Sequence, residues 1–242
     1  DWMSITLGQF PLYNFDGTQY IANQQTALMN YALSQNATSA YPSASLGAYG
    51  QAQLGRWTLS AGYQDATNIS GKDIRLKDAF DGNYTAFGSI AWNPNFALGQ
   101  GQYSVLYYYQ PSVADQPGNV NGWSFNMQQN MGQNWAMFGR ANGSDKSVTG
   151  AKYSYALGMA MLNPLHPNAA DAIIAGIAYN ELSKQAYAGA ARNQEMALEL
   201  QWIWGIGNWI TITPDIQFYP KAGLANRTRE VTVVGLRTTI ML

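Results

Sequence analysis

Toward the end of the chain, apolar and polar residues alternate. Met196, Leu198, Leu200, Trp202 and Trp204 fall on one face of a stretch whose other face carries Ala197, Glu199 and Gln201. Ile210, Ile212, Ile216 and Phe218 likewise oppose Thr211, Thr213, Asp215 and Gln217, and Val234, Leu236, Ile240 and Leu242 oppose Arg237 and Thr239. Successive side chains of a β-strand point to opposite faces, so each stretch predicts a strand with one apolar and one polar side. The same rule picks out about twelve strands along the chain. They are 2–10, 44–54, 57–65, 84–92, 102–110, 123–130, 135–141, 152–161, 172–180, 196–204, 210–218 and 232–242. On the first, Met3, Ile5 and Leu7 oppose Ser4 and Thr6.

Large apolar faces backed by wet polar ones are the pattern of an antiparallel transmembrane β-barrel, whose outside meets lipid and whose inside meets water. The connections support this. Segments 55–56, 93–99, 131–134, 162–170 and 205–208 are short or medium, and they strictly alternate with a longer set, 11–43, 66–83, 111–121, 142–151, 181–193 and 219–229. Both chain ends then fall on the short-turn side. Trp57, Trp92, Trp135, Trp204 and Trp209 lie beside short turns and Trp2 near the N-terminus, which predicts an aromatic girdle at one membrane interface. Tyr63, Tyr84, Tyr109, Tyr179 and Tyr219 sit near the opposite strand ends. Pro214 cannot donate a ladder hydrogen bond and predicts a bulge. Segment 11–43, with Phe10, Leu12, Tyr13 and Phe15 at its start and helix-compatible spacing over 23–34, is expected to fold toward the pore.

Composition fits a protein whose exterior is mostly out of water. Charged residues make up 11% and aromatics 13%, with 16 Tyr and 8 Trp; ordinary soluble domains carry about 25% charge. The formal net charge of −1 gives no electrostatic case for nucleic acid. No apolar run is long enough for a transmembrane helix, so strands are the only spanning elements open to this chain. There is no cysteine, hence neither a disulfide framework nor a thiolate metal site. The reading is of one barrel domain over 1–242.

Several stretches resemble the carbohydrate-selective porins, the OprB-like family. They are Gly122-Trp-Ser-Phe-Asn-Met-Gln-Gln-Asn-Met-Gly, Asn134-Trp-Ala-Met-Phe-Gly-Arg-Ala-Asn142, Ala197-Leu-Glu-Leu, Trp209-Ile-Thr-Ile-Thr-Pro-Asp-Ile-Gln217, Leu7-Gly-Gln-Phe, the Phe15-Asp16 region and Val233-Val-Gly-Leu-Arg237. The resemblance implies an outer-membrane, water-filled diffusion channel favouring sugars, built on a barrel of about sixteen strands. The match falls on the C-terminal portion of that pattern. The chain is read either as a smaller barrel of about twelve strands or as the C-terminal part of a sixteen-stranded one.

A sugar pore needs no covalent chemistry. It needs water, hydrogen-bonding side chains and a few charges at its wall. Alternation puts Asn126, Gln128, Arg140, Lys152, Glu199, Gln201, Asp215, Gln217 and Arg237 on the inner face, as candidate pore-lining residues. Glu199, Asp215 and Arg237 lie at similar heights on successive strands. They either pair with one another or set up a transverse field across the pore. Arg140 and Lys152 flank one outer loop, where they either attract anionic solutes or pair with carboxylates such as Asp145. Inward Tyr49, Phe87, Tyr108 and Phe138 either stack on sugar rings or fill space. An enzyme is disfavoured: a hydrolase needs a nucleophile with a positioned base, and the lone histidine, His166, sits in a turn between prolines. Glu199 and Asp215 could stand at glycosidase spacing, but an adjacent Arg237 would keep both ionised. No cofactor or metal is expected. The expected partners are sugars or other small polar solutes and outer-membrane lipid, and a homo-oligomer is compatible with the pattern. A non-conducting outer-membrane barrel and a soluble lectin-like binding protein are the alternatives.

Overall fold

Alternation along the chain is realised as one antiparallel sheet. The computed structural model describes residues 2–21, 24–72, 74, 76–77, 82–146, 149–165, 168–183, 193–223 and 230–240. His166, Asn23 and Leu242 lie outside the described residues. The strands are β1 (Met3–Phe10), β2 (Ser45–Leu54), β3 (Trp57–Asp65), β4 (Tyr84–Trp92), the two-residue β5 (Asn95–Phe96), β6 (Gly99–Gln110), β7 (Val120–Met131), β8 (Trp135–Ser144), β9 (Ala151–Leu162), β10 (Ala172–Leu182), β11 (Gln194–Ile206), β12 (Ile210–Lys221) and β13 (Val231–Ile240). The long strands follow one another in chain order, each paired with the next, while β5 pairs only with β6. This is an up-and-down meander. β1 and β13 stand at its two ends and do not pair with each other, so the sheet is not closed.

The bounds of β3 and β4 coincide with the alternating stretches. β6 to β12 run longer than alternation marks. Ladder pairing continues through residues that carry no apolar signal, as in Gly122↔Ser144 and Trp123↔Gly143 between β7 and β8. Because β8 and β9 extend outward, connection 145–150 is shorter than connection 163–171, and the strict long-short alternation does not hold there. Pro214 makes no bulge. The register is unbroken on its β13 side, and the pairs Gln201↔Asp215 and Trp204↔Ile212 keep one offset across it on the β11 side. The irregularity between β11 and β12 lies between Met196 and Leu198 instead. Gly55, Gly132 and Gly207 hold φ of 61°, 68° and 57°, which lets three of the tight turns reverse the chain.

Apolar side chains cover the outer face. Leu7, Val234 and Leu236 are 77%, 79% and 71% exposed, and Leu157, Leu200 and Ile216 are exposed on neighbouring strands. A Leu or Ile left in water forgoes about 1.5–3 kcal/mol of transfer free energy. Repeated over the whole sheet, that loss excludes water as the solvent of this face and suits hydrocarbon. Trp57 and Trp92 are cross-strand partners with stacked rings 5.6 Å apart, and Trp92 continues into Phe96 and Tyr103. Trp123 departs from the pattern, since it pairs in register with Gly143 and Tyr107 near the long-loop ends. Tyr219 departs too: its hydroxyl turns to the inner face and bonds Gln217.

The core lies on the concave side, where residues 11–43 fold against the strands. Among its described residues this segment is irregular apart from a 3-10 turn at Leu12–Phe15 and one helical turn, α1 (Tyr31–Ser34). Helical spacing over 23–34 thus yields a helix only at its end. Asn30 caps α1, its side chain accepting from the Ala32 N–H at 3.0 Å. The N–H groups of Met29 and Asn30 are already bound to Glu199, so the helix cannot extend backward through them. Tyr20, Ile21, Leu28 and Leu33 pack on Ala136, Phe138, Ala156, Ala160, Ile174 and Ala178 of β8–β10. Phe10, Leu12 and Ala40 pack on Phe87, Leu106, Tyr108 and Val120. Small inner-face residues make this room. A Cβ at Gly176 would stand 2.9 Å from Leu33 Cδ2 and 3.1 Å from Leu28 Cδ1.

Candidate functional site in the sheet interior

Period two carries polar side chains to the concave wall. Asn126, Gln128, Arg140, Glu199, Gln201, Asp215 and Gln217 are all buried there, and Arg237 is half-buried. Lys152 is half-buried near the outer end of β9, its ammonium 5.4 Å from the centroid of the Tyr153 ring. What alternation could not supply is the partner of each group. Most of them bond segment 11–43.

Glu199 accepts from the backbone N–H of Met29 at 2.5 Å and of Asn30 at 2.9 Å. Arg237 Nη1 donates to the carbonyls of Gln24 at 2.6 Å and Ala27 at 3.0 Å. Asn30 Nδ2 donates to Gln217 Oε1 at 3.2 Å and to the Tyr219 hydroxyl at 2.6 Å. In register Glu199 faces Gln217, Gln201 faces Asp215, and Thr213 faces Arg237, so the three charges step diagonally across β11–β13. No described hydrogen bond or ion pair joins Arg237 to Glu199 or Asp215. Of the two expected outcomes, direct pairing of Arg237 with a carboxyl is not made: Glu199 and Arg237 each take backbone groups of the segment between them, while Glu199 stays beside Asp215. The argument that Arg237 neutralises a carboxylate pair falls with it.

Arg140 is corrected in the same way. Its Nε donates to Asn126 Oδ1 at 2.7 Å, and its Nη2 donates to the Asp16 carbonyl at 3.0 Å and to the Ile21 carbonyl. Asp16 in turn accepts from Asn126 at 3.0 Å, Asn36 at 2.8 Å and the Tyr41 hydroxyl at 2.9 Å. Burial, with the Asp16 carboxylate beside it, pushes the Tyr41 phenol well above its ordinary range, so it remains a donor. Asp145, expected to meet Arg140 or Lys152, instead accepts from the Asn121 backbone at 2.9 Å and the Asn121 amide at 2.7 Å. Burial opposes ionisation of Asp145, but the Asn121 hydrogen bonds together with the charge and backbone N–H of Lys146 hold the carboxyl below the usual range.

The inward aromatics are occupied by the segment's own rings. Phe138 stacks on Tyr20 with centroids 5.6 Å apart, and Phe15 lies 4.8 Å from Phe87 and 4.9 Å from Tyr49. The Tyr108 hydroxyl accepts from the Ala40 N–H at 3.0 Å and donates to the Thr38 carbonyl at 3.2 Å. Two of the open spaces beside the segment border the sheet. One, of about 410 Å³, lies between α1 and the outer ends of β10–β12, lined by residues including Asn30, Tyr31, Asn180 and Tyr219. The other, of about 180 Å³, lies toward the short turns of β2–β6. Its polar lining is Asn14, Gln51, Thr58, Ser60, Ser89, Asn93, Gln102 and Ser104, all uncharged, with Phe15 at one side. Asn30, Asn36 and Tyr41 have no periodicity to mark them because they lie in an aperiodic segment, and Asp16 is marked only by the family resemblance of its region. Asn30 carried a local signal, a capping residue directly before Tyr31-Ala-Leu-Ser34.

Residues 68–242 match the model of the family described as carbohydrate-selective porin, OprB family. The chain belongs to that family. Among similar proteins, Porin AaxA of Chlamydia abortus is 37% identical over 97% of this chain and 53% of its own length. Porin AaxA of Chlamydia felis is 36% identical over 98% of this chain and 54% of its own length. The chain thus spans about half the length of the curated relatives it matches. The solved structure of Pseudomonas putida OprB superposes with a TM-score of 0.75 at 15% identity, covering 99% of this chain and 69% of that one, a likeness of fold. Membership in this porin family places the OprB-family chain in the bacterial outer membrane, and the family is one of channels and not of hydrolases.

Proposed function

We propose that the chain forms wall and constriction of a passive diffusion channel for small hydrophilic solutes, carbohydrates first among them. The observation that carries this reading is a sheet apolar on its convex side and polar on its concave side, with residues 11–43 lying across the concavity. An interior filled by side chains alone would be a dry core. Here the wall keeps uncharged amides and hydroxyls beside open space, as around Gln51, Ser60, Ser89 and Gln102. Such groups exchange hydrogen bonds with a solute's hydroxyls without the desolvation cost that a fixed charge imposes. Phe15 offers an apolar surface to one face of a sugar ring. Inward Gln128, Gln201 and Lys152 are read as further lining groups. The gap between β1 and β13 and the 69% share of the OprB chain support a larger ring of about sixteen strands as the full wall.

Liposome swelling with sugars, amino acids and other neutral solutes of matched size tests the proposal. Sugars are expected to enter fastest within each size class, with rates falling as size grows. Equal rates across a class would remove the carbohydrate preference and leave a general pore. Absence of swelling with every solute would remove the channel.

A further inference from the structure

Glu199 and Arg237 stand on β11 and β13, with β12 between them, and reach over it to one short stretch of the inward segment. The carboxylate takes two N–H groups, from Met29 and Asn30. The guanidinium takes two carbonyls, from Gln24 and Ala27. A peptide stretch offers only these two kinds of backbone group, and a carboxyl and a guanidinium supply the acceptor and the donor that each requires. The guanidinium's hydrogen bonds are charge-assisted and about twice as strong as neutral ones. Between the two grips the segment is seated on the wall. The Met29 sulfur lies 3.5 Å from where a Cβ on Gly235 would stand, and Asn30 bonds Gln217 and Tyr219 of β12. Gln24 closes the stretch on itself by donating to the Met29 carbonyl at 2.7 Å.

We infer that Glu199 and Arg237 are positioning residues: a two-ended clamp on the backbone of residues 24–30 that fixes how far segment 11–43 projects into the channel. The clamp rests on the channel reading above. Both side chains act on solute flow through the segment they hold. Their bonded atoms are engaged by the segment, and the carboxylate has both oxygens committed. The stretch lies at one end of the inward segment's contact with the wall. Elsewhere the segment is held by Arg140, which grips residues 16 and 21 from β8, and by Tyr108, which grips residues 38 and 40. Releasing 24–30 therefore frees one margin of the constriction while the rest stays seated.

The test is single-channel recording of the protein purified in detergent and inserted into planar bilayers. Wild type is compared with E199A, E199Q, R237A and the double variant E199A/R237A. Folding of each is checked by the heat-dependent mobility shift of barrels on denaturing gels. Both alanine variants are expected to raise open-channel conductance about twofold and to add rapid current noise. The double variant should exceed the larger single effect by little, since both ends hold one stretch. E199Q, which keeps one acceptor oxygen, should fall between wild type and E199A, and it carries the test if E199A does not fold. Amide exchange provides a second reading: the Met29 and Asn30 N–H groups should exchange at least tenfold faster in R237A, although Arg237 touches neither. Unchanged conductance with a shifted reversal potential under a salt gradient would make these charges act on ions directly and overturn the clamp, as would unchanged exchange in R237A. A wild-type protein without conductance would instead overturn the channel reading, with the exchange measurement still deciding the clamp.

Discussion

At the scale of single residues, the interior is a set of charged groups spent on backbone. Arg140 is buried among Asn126, Asp16 and Ile21. Arg140→Met should cost roughly 2–4 kcal/mol of stability, because three acceptors lose a charged donor in a site closed to water. Arg140→Lys should recover less than half, since a single ammonium cannot reproduce the fork. Urea unfolding in lipid vesicles, followed by tryptophan fluorescence, reads both. Asp145 gives a pH prediction. Its carboxyl is held below the ordinary range by Asn121 and Lys146, so the Asn121 contact is fully present above the unfolded-state value of about 4 and is lost as pH falls through the lower folded value. Protection of the Asn121 amide should be flat from neutral pH to about 5 and fall only in stronger acid; a decline already near pH 6 would contradict it. Residue placement was legible where parity applies. Alternation assigns Glu199, Asp215 and Arg237 to the inner face from their neighbours alone. It cannot assign the partners of Glu199 and Arg237, because those partners are backbone groups about 170 to 210 positions away in a segment without period.

Elements were legible to the extent that both faces of a strand differ in polarity. β3 and β4 carry that contrast to their last residues. β8 loses it at Gly139, Asn142 and Gly143 yet keeps pairing, because a ladder is made by the main chain and not by side-chain contrast. The helix is the converse case. Spacing of Ala27, Leu28 and Tyr31 looks helical, but tertiary hydrogen bonds claim the N–H groups an earlier turn would need. The apolar faces make a direct prediction. Leu200→Arg, on the exposed side of β11, should destabilise the folded protein in vesicles by about 2–4 kcal/mol if it lies near the bilayer midplane. The same substitution at Trp209, beside a short turn, should cost about 0–1 kcal/mol. Equal losses at the two positions would mean that the convex face does not sit across a bilayer as described.

For the whole molecule, order along the chain and order across the sheet coincide, so each strand finds its partner next door in sequence. That simplicity is why the architecture could be read from periodicity, with the family resemblance adding its name. Ring size could not be read so, because periodicity reports what each strand does and not how many strands share the curve. β1 and β13 each leave one side without a neighbour in the sheet. Hydrocarbon offers no donor or acceptor, and every bare ladder group there costs several kcal/mol. In the outer membrane these two margins must therefore meet each other or further strands. On the channel reading proposed above, the segment over residues 11–43 narrows the interior, while the diameter around it is set at that seam. Two proteins sharing this whole stretch and differing only in what fills the seam would present the same plug in bores of different width, and would pass solutes of different size with no change in any residue named above.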